Sequence, residues 1–392
     1  MAMEIVFAAE TLVPPAGGAE RFWLELAAGL AERHRVRALA FGDPGDETEI
    51  PRGVEWIALD PPATGSAWTA RAARCDALAA ALTRELSRRP ADVVAGQLHA
   101  GPAAVAAARA TGAAGVLFIP GYEALCHWSF GASSQCVPPS RCRECPRVLA
   151  LDPIEREAKW AERSAQDEAL GTATALVAPS RAMADAVERA CGRRPHVIPP
   201  VTSSPPAARA DPAGHLAAVA SFWTRDKGVE LLAPIAGLVS GRRLVVQLPP
   251  TGIPEQVAAA LQALPNVTLR QPPGEIGDVL DGAAMLLVPS QLDEPFGRVA
   301  FEGLASGVPT LASDAGGLRE TVPPGQLVSP RDDAHAWATA IRRHLRPAEW
   351  AAARDRGTAA AEAVLAYAPL ERAERVMGTV ARSRSSSMMA SI

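Results

Sequence analysis

The stretch Val288–Glu320, VPSQLDEPFGRVAFEGLASGVPTLASDAGGLRE, carries more chemistry than any other part of the chain. Its apolar lead-in, Met285–Val288, reads as a buried strand that runs into a polar loop. Glu294-Pro295-Phe296-Gly297 then reads as the opening of a helix through Ala305, because proline fits a first helical turn and glycine lets a ligand approach the backbone. The amides of such a first turn make an anion site suited to a diphosphate. Glu302 lies deeper in the same helix. A diphosphate would repel it, so a pair of hydroxyls such as those of a ribose is its sensible partner. Thr310–Ala312 reads as the next strand, and Gly316-Gly317 as a turn.

The same rhythm extends toward both ends. Ile5–Ala9, Arg37–Phe41, Val93–Gly96, Gly115–Ile119 and Ala175–Ala178 read as strands, and Glu20–Arg33 as a helix with Phe22, Leu26 and Leu30 on one face. The pattern restarts at Leu216–Ser221, Arg243–Leu248 and Val267–Arg270. Alternation of this kind predicts parallel sheets covered on both faces. Pro199–Pro212, rich in Pro, Ser and Ala, separates the two series as a hinge. The expected class is α/β, with two doubly wound Rossmann-like domains facing a cleft and ligands beyond the carboxyl ends of the strands. The expected boundaries are a first domain at 1–198 with a cysteine-rich insertion at 121–150, a linker at 199–212, a second domain at 213–370, and a C-terminal helix and flexible tail at 371–392.

Bulk properties narrow the function. With 392 residues, 48% hydrophobic and 21% charged, the chain has material for two cores and does not resemble a disordered segment. A net charge of −4 lacks the basic stripe of a nucleic-acid binder. The N-terminus shows no signal segment and no run approaches the ~20 apolar residues of a membrane span, so a cytoplasmic location is expected. The amphipathic, arginine-bearing stretch Trp68–Arg89 reads as a solvated helix face before it reads as a membrane surface. Of 39 basic residues only Lys159 and Lys227 are lysines, the mark of an arginine-favouring background in which a retained lysine stands out. Lys227 heads a Lys227-Gly228 pair in SFWTRDKGVELL, just past the first strand of the second series.

Four cysteines, Cys126, Cys136, Cys142 and Cys145, fall within twenty residues and end in Cys-x2-Cys. That spacing suits a structural zinc stapling a loop, with unpaired thiols or disulfides as the alternatives. Cys75 and Cys191 stand alone and are expected to be buried.

Each motif has an ordinary reading as well. Glu294, Arg298 and Glu302 fall four residues apart and fit a solvated i,i+4 charge ladder. A Gly-Gly or Lys-Gly pair by itself is commonly a turn. The conjunction decides, because E-x-F-G-x-x-x-x-E followed by A-x-G-x-P resembles the donor-site signature of the retaining glycosyltransferases of the GT-B fold, in particular family four, the glycosyl transferases group 1. Lys227-Gly228, Gly316-Gly317, the Ala178–Arg181 turn and the glycine-rich Pro14–Glu20 loop with Gly17 and Gly18 occupy matching places.

The resemblance implies that Glu302 holds the donor ribose, that Glu294 touches the transferred sugar, and that the amides of Phe296, Gly297, Arg298 and Val299 cradle the distal phosphate. Lys227 would answer the diphosphate charge. It further implies a nucleoside-diphosphate sugar as donor, UDP-linked in preference, with a small-molecule or glycan acceptor. A natural-product acceptor fits the coding background. Retention by same-face attack needs no separate nucleophile, and no metal dyad is evident, so no cofactor is required for catalysis. Two departures stand out. Where relatives carry an arginine ahead of the Lys-Gly pair this chain has Ser221 and Phe222, leaving Arg225 or Arg298 to supply the second positive charge. Where relatives carry an acceptor-side histidine it has Pro120, leaving His99, Tyr122 or Glu123 to take that place. Competing classes are a same-fold epimerase, which the E-x-F-G segment disfavours, and a non-catalytic sugar-nucleotide binder. A nicotinamide oxidoreductase is disfavoured by the missing G-x-G-x-x-G.

Overall fold

The computed structural model describes residues 2–10, 17–42, 50–60, 67–126, 143–201, 205, 207–271 and 274–389, except for the side chains of 67–69 and 385–389. The chain divides into two compact units, Met1–Thr202 with Pro369–Ile392, and Ser203–Ala368.

The first unit is built on β1 (Glu4–Ala8), β2 (Arg35–Phe41), β3 (Val54–Leu59), β4 (Val93–Gln97), β5 (Ala114–Phe118), β6 (Ala175–Ala178) and β7 (His196–Val197). They form one parallel sheet in the order β3-β2-β1-β4-β5-β6-β7. Its helices are α1 (Gly18–Ala31), α2 (Ala67–Arg88), α3 (Ala100–Thr111), α4 (Pro146–Leu149), α5 (Pro153–Thr172) and α6 (Arg181–Cys191). The two-residue period of a strand assigns each face. Ile5 and Phe7 pack with Trp23, Leu26 and Leu30 of α1, while Val6 and Ala8 pack with Leu78 and Leu82 of α2 and Ala104 of α3. Trp23 meets Phe7 and Phe118 edge-on, at 4.6 and 5.1 Å between ring centres.

The second unit has β8 (His215–Ala218), β9 (Leu244–Gln247), β10 (Val267–Arg270), β11 (Ala283–Val288), β12 (Thr310–Ser313) and β13 (Leu327–Val328), parallel in the order β10-β9-β8-β11-β12-β13. Around them lie α7 (Val229–Leu238), α8 (Glu255–Gln262), α9 (Ile276–Leu280), α10 (Arg298–Ala305), α11 (Leu318–Thr321), α12 (Ala334–His344) and α13 (Pro347–Ala366). Leu216, Val246, Met285 and Leu287 bury one sheet face against Leu232 of α7 and Trp337 of α12.

A last helix, α14 (Pro369–Met389), belongs to the first unit. Ala373 and Met377 join the core beside α1, and Glu374 pairs with Arg33 and with His34, each at 3.0 Å. His34 Nδ1 accepts from the Met3 amide, so its Nε2 carries the proton that goes to Glu374. The helix runs on past Ser383, whose hydroxyl donates to the Thr379 carbonyl one turn back. Among the described residues no helix is long and apolar enough to cross a membrane.

Each sheet reverses its strand order once, between β1 and β4 in the first and between β8 and β11 in the second. In doubly wound sheets the crevice for a ligand opens at that reversal, beyond the carboxyl ends of the two strands.

Candidate active site

In the second unit the reversal brings together the loops that follow β8 and β11. The first loop carries Lys227 in a short turn, Arg225–Lys227, and the second carries Glu294. The loops are stitched by backbone, since the Asp226 carbonyl accepts from the Gln291 amide at 2.7 Å. Gly228 makes this possible. It adopts φ +76°, and a Cβ there would sit 1.9 Å from the Pro289 carbonyl oxygen. Lys227 Nζ therefore reaches Glu294 Oε1 at 2.7 Å, and the Ser290 hydroxyl donates to the same oxygen. The ammonium also lies 5.7 Å above the centre of the Phe222 ring.

A second clamp holds Glu294 from the other side. The Gly317 amide donates to the Glu294 carbonyl at 2.6 Å, and Cβ atoms at Gly316 or Gly317 would come within 2.5 Å of the Glu294 or Pro295 carbonyl oxygens. The Thr321 hydroxyl donates to the Phe296 carbonyl. The Gly-Gly pair is thus a packing requirement of the Glu294–Phe296 loop.

The start of α10 corrects the sequence reading. Gly297 is left-handed, at φ +93°, and caps the helix, which begins at Arg298 rather than at Glu294. Glu294 is consequently off the helix and pairs with Lys227, so the three-member charge ladder does not form. Arg298 Nε does meet Glu302 Oε1 at 3.0 Å, with side chains only 16% and 11% exposed, and this pair is not a solvated one. The first helical bond runs from the Phe301 amide to Gly297, so the Val299 and Ala300 amides face out of the helix end. Phe296 is buried against Phe301. Arg225 stays exposed, 3.6 Å from Glu230.

In the first unit, Gly17 caps α1 and Gly18 is its first residue. Gln97, at the end of β4, donates to the Ala19 carbonyl at 3.3 Å and so ties β4 to the first turn of α1. His99 caps α3. Its Nδ1 lies 2.8 Å from Glu162 Oε1, and Lys159 Nζ lies 2.9 Å from Glu162 Oε2. Burial pushes the Glu162 carboxyl up, but the contact with His99 and the charge of Lys159 outweigh it and hold it at about 2. Tyr122 and Glu123 fall in a short turn beyond β5, after Pro120. Burial raises the Glu123 carboxyl above its usual range, opposed by its own backbone amide and by His99. Sequence reasoning passed over Lys159, Glu162 and Ser290; the rarity of lysine was the one signal that pointed to Lys159.

Of the cysteine cluster, Cys136 and Cys142 lie outside the described residues, Cys126 is buried and Cys145 half-buried. Among the described residues no group of three or more metal-binding side chains forms. Cys75 and Cys191 are half-buried rather than buried, and burial pushes the Cys75 thiol up to about 12.

Comparison with known proteins identifies the family. Residues 16–202 match the family model Glycosyltransferase Family 4, and residues 213–346 match the model Glycosyl transferases group 1. The D-inositol 3-phosphate glycosyltransferase of Nocardia farcinica (strain IFM 10152) is 40% identical over 129 residues, which is 32% of this chain and 27% of that protein. The match thus spans about a quarter of the relative's length. Sucrose-phosphate synthase from Thermosynechococcus elongatus superposes with a TM-score of 0.76 at 18% identity, covering 97% of this chain and 99% of that one. Anabaena HepE in complex with UDP and glucose superposes with a TM-score of 0.70 at 16% identity, covering 95% and 99%. At such identities the two structures attest the fold alone. With two Rossmann-like sheets of GT-B type and family models matching both halves of its length, this chain is a member of glycosyltransferase family four, the glycosyl transferases group 1.

Proposed function

We propose that the chain is a retaining glycosyltransferase that moves a sugar from a nucleoside-diphosphate sugar, UDP-linked in preference, onto a hydroxyl of a small-molecule or glycan acceptor. The observation that carries this reading is the Lys227–Glu294 pair beside the N-terminus of α10, at the strand-order reversal of the second sheet.

Departure of the diphosphate leaves negative charge on phosphate oxygens and positive charge on the anomeric carbon. Lys227 and the Val299 and Ala300 amides are the donors aimed at the first, and fixed donors of this kind are often the largest catalytic contribution. Glu294 shares Lys227 with the incoming phosphate and turns its remaining lone pairs to sugar hydroxyls. Glu302, aimed by Arg298, accepts from the ribose hydroxyls. Arg225, exposed on the same turn as Lys227, is the cation left for the second phosphate. In the transfer step the bond from anomeric carbon to phosphate oxygen breaks and the bond to the acceptor oxygen forms on the same face. The acceptor's proton goes to the leaving phosphate. The presence of UDP and glucose in Anabaena HepE, which has the same fold, supports a UDP-linked donor.

The test is turnover. UDP-glucose, UDP-N-acetylglucosamine and GDP-mannose are incubated with the protein and a panel of polyol and glycan acceptors, and the released nucleotide is quantified. Proton NMR then reads the anomeric configuration. Retention with one donor is the expected result; nucleotide binding without release, or an inverted product, contradicts the reading.

A further inference from the structure

The chain's two lysines serve the two strand-order reversals, one in each sheet. Lys227 serves the second directly. Lys159 serves the first at one remove, through Glu162 to His99 in the loop after β4. Lys159 is 1% exposed, and burying an ammonium is costly unless a partner offsets it. A surface i,i+3 pair would not require such burial.

The backbone beside His99 is strained. Leu98 adopts φ +50°, a left-handed conformation that is unfavourable for a residue with a side chain. It is held there because the Leu98 carbonyl accepts from Gln166 Nε2 and from the Gly101 amide, each at 3.3 Å. The consequence is the placement of His99, whose carbonyl also takes the Cys75 thiol at 3.2 Å. Strain, a fully buried lysine and a half-buried carboxylate thus converge on one imidazole whose side chain is 19% exposed.

We propose that Glu162 and Lys159 are positioning residues that fix the His99 ring with its proton on Nδ1, so that Nε2 accepts a hydrogen bond from a hydroxyl of the acceptor other than the attacking one, whose proton goes to the leaving phosphate. The inference rests on the transferase reading. Its physical logic lies in the charge count. A lone buried carboxylate beside an imidazole favours the imidazolium, which donates from both nitrogens and accepts from neither. Lys159 holds the other oxygen of Glu162 and offsets its charge, while Glu162 Oε1, 2.8 Å from Nδ1, selects that nitrogen as the protonated one. The His99 Nδ1–Glu162 contact is short, at 2.8 Å, but off the line of a straight hydrogen bond. Glu123, Arg71, Cys75, Cys126 and Glu10 are among the charged and titratable surroundings of the cluster.

Two arms test this. Nitrogen-15 histidine spectra of the full chain at pH 8.5, about two units above an ordinary imidazole, read the tautomer with no substrate present. His99, identified by loss of its signals in His99→Gln, is expected to show protonated Nδ1 and bare Nε2, and Glu162→Gln is expected to move proton density toward Nε2. Wild-type protein with Nε2 protonated overturns the proposal. The second arm follows UDP-glucose with myo-inositol as acceptor probe, scoring glucosyl transfer against hydrolysis by water. Glu162→Gln is expected to shift that ratio toward hydrolysis by about tenfold, the loss of roughly one hydrogen bond. An equal fall in both rates overturns it. A chain that consumes no nucleotide sugar sinks the transferase reading, whereas the tautomer result stands or falls by itself.

Discussion

Lys227 and Glu294 lie 67 residues apart in sequence and meet at 2.7 Å because two glycine-dependent close approaches leave their loops no other course. Gly228 presses the lysine turn onto the Pro289 carbonyl, and Gly316-Gly317 press a second loop onto the Glu294 backbone. The ion pair is a product of backbone packing, which makes it rigid before any ligand arrives. Rigidity at that point matters, because donors fixed in advance need no reorganisation as charge develops.

Gly228→Ala is expected to destabilise the second unit by more than Gly252→Ala. Both glycines are left-handed, at φ +76° and +71°, so both substitutions carry the backbone cost. Only Gly228 faces a backbone oxygen at 1.9 Å; nothing lies within 4 Å of a Cβ at Gly252. Thermal unfolding should separate the two by about 1–3 kcal/mol. Equal shifts contradict the close-approach argument.

Lys227→Ala is expected to lower turnover on the order of 10²–10³-fold, the usual effect of removing one fixed donor from a developing oxyanion. Lys227→Arg should recover only part of it, because a planar fork cannot occupy the place of a compact ammonium over Phe222. Steady-state rates with the active donor check both; full recovery by arginine would remove the geometric requirement.

The sequence reading reaches the fold through hydrophobic rhythm and misses what rhythm does not encode. Val54–Leu59 does not read as a strand because Glu55 breaks its apolar run, and this edge strand leaves Glu55 and Ala58 exposed. The two-residue strands β7 and β13 are too short to show any period. At the donor loops the residue types were legible, since glycines at loop ends and a rare lysine are signals in themselves. The left-handed turn at Gly297 was not, because proline and glycine also suit a first helical turn. Lys159 and Glu162 look like a surface pair on any helix; only the packing of α5 reveals that Lys159 is buried and Glu162 half-buried.

Glu162 also makes a pH prediction. Its carboxyl sits at about 2 in the folded chain, below the ordinary glutamate value near 4.3. The depressed value contributes stability above about pH 4.3, and that contribution is lost as pH falls toward 2. Its size is about 3 kcal/mol. Urea unfolding of Glu162→Gln should therefore lie below wild type at pH 7, and the gap should close by pH 2. A gap that does not vary with pH would contradict the ion-paired carboxylate.

Cys75 should resist alkylation. Burial pushes its thiol to about 12, so at pH 8 the reactive thiolate is scarce. Iodoacetamide is expected to modify it on the order of a thousandfold more slowly in the folded chain than in guanidinium, against an ordinary thiol near 8.5. Peptide mapping by mass spectrometry gives the rates, and similar rates in both states would place Cys75 at the surface.

The central claim is that the second unit holds a nucleoside diphosphate at Lys227 and Glu302. Calorimetric titration of UDP, GDP and ADP into wild type, Lys227→Ala and Glu302→Ala, first with EDTA and then with magnesium, tests it most directly. One nucleotide, UDP in preference, should bind wild type equally well in both buffers, and each substitution should weaken it by about 1.5–3 kcal/mol, the range for hydrogen bonds to charged groups. Absence of binding by all three, or affinity indifferent to both substitutions, would contradict the account.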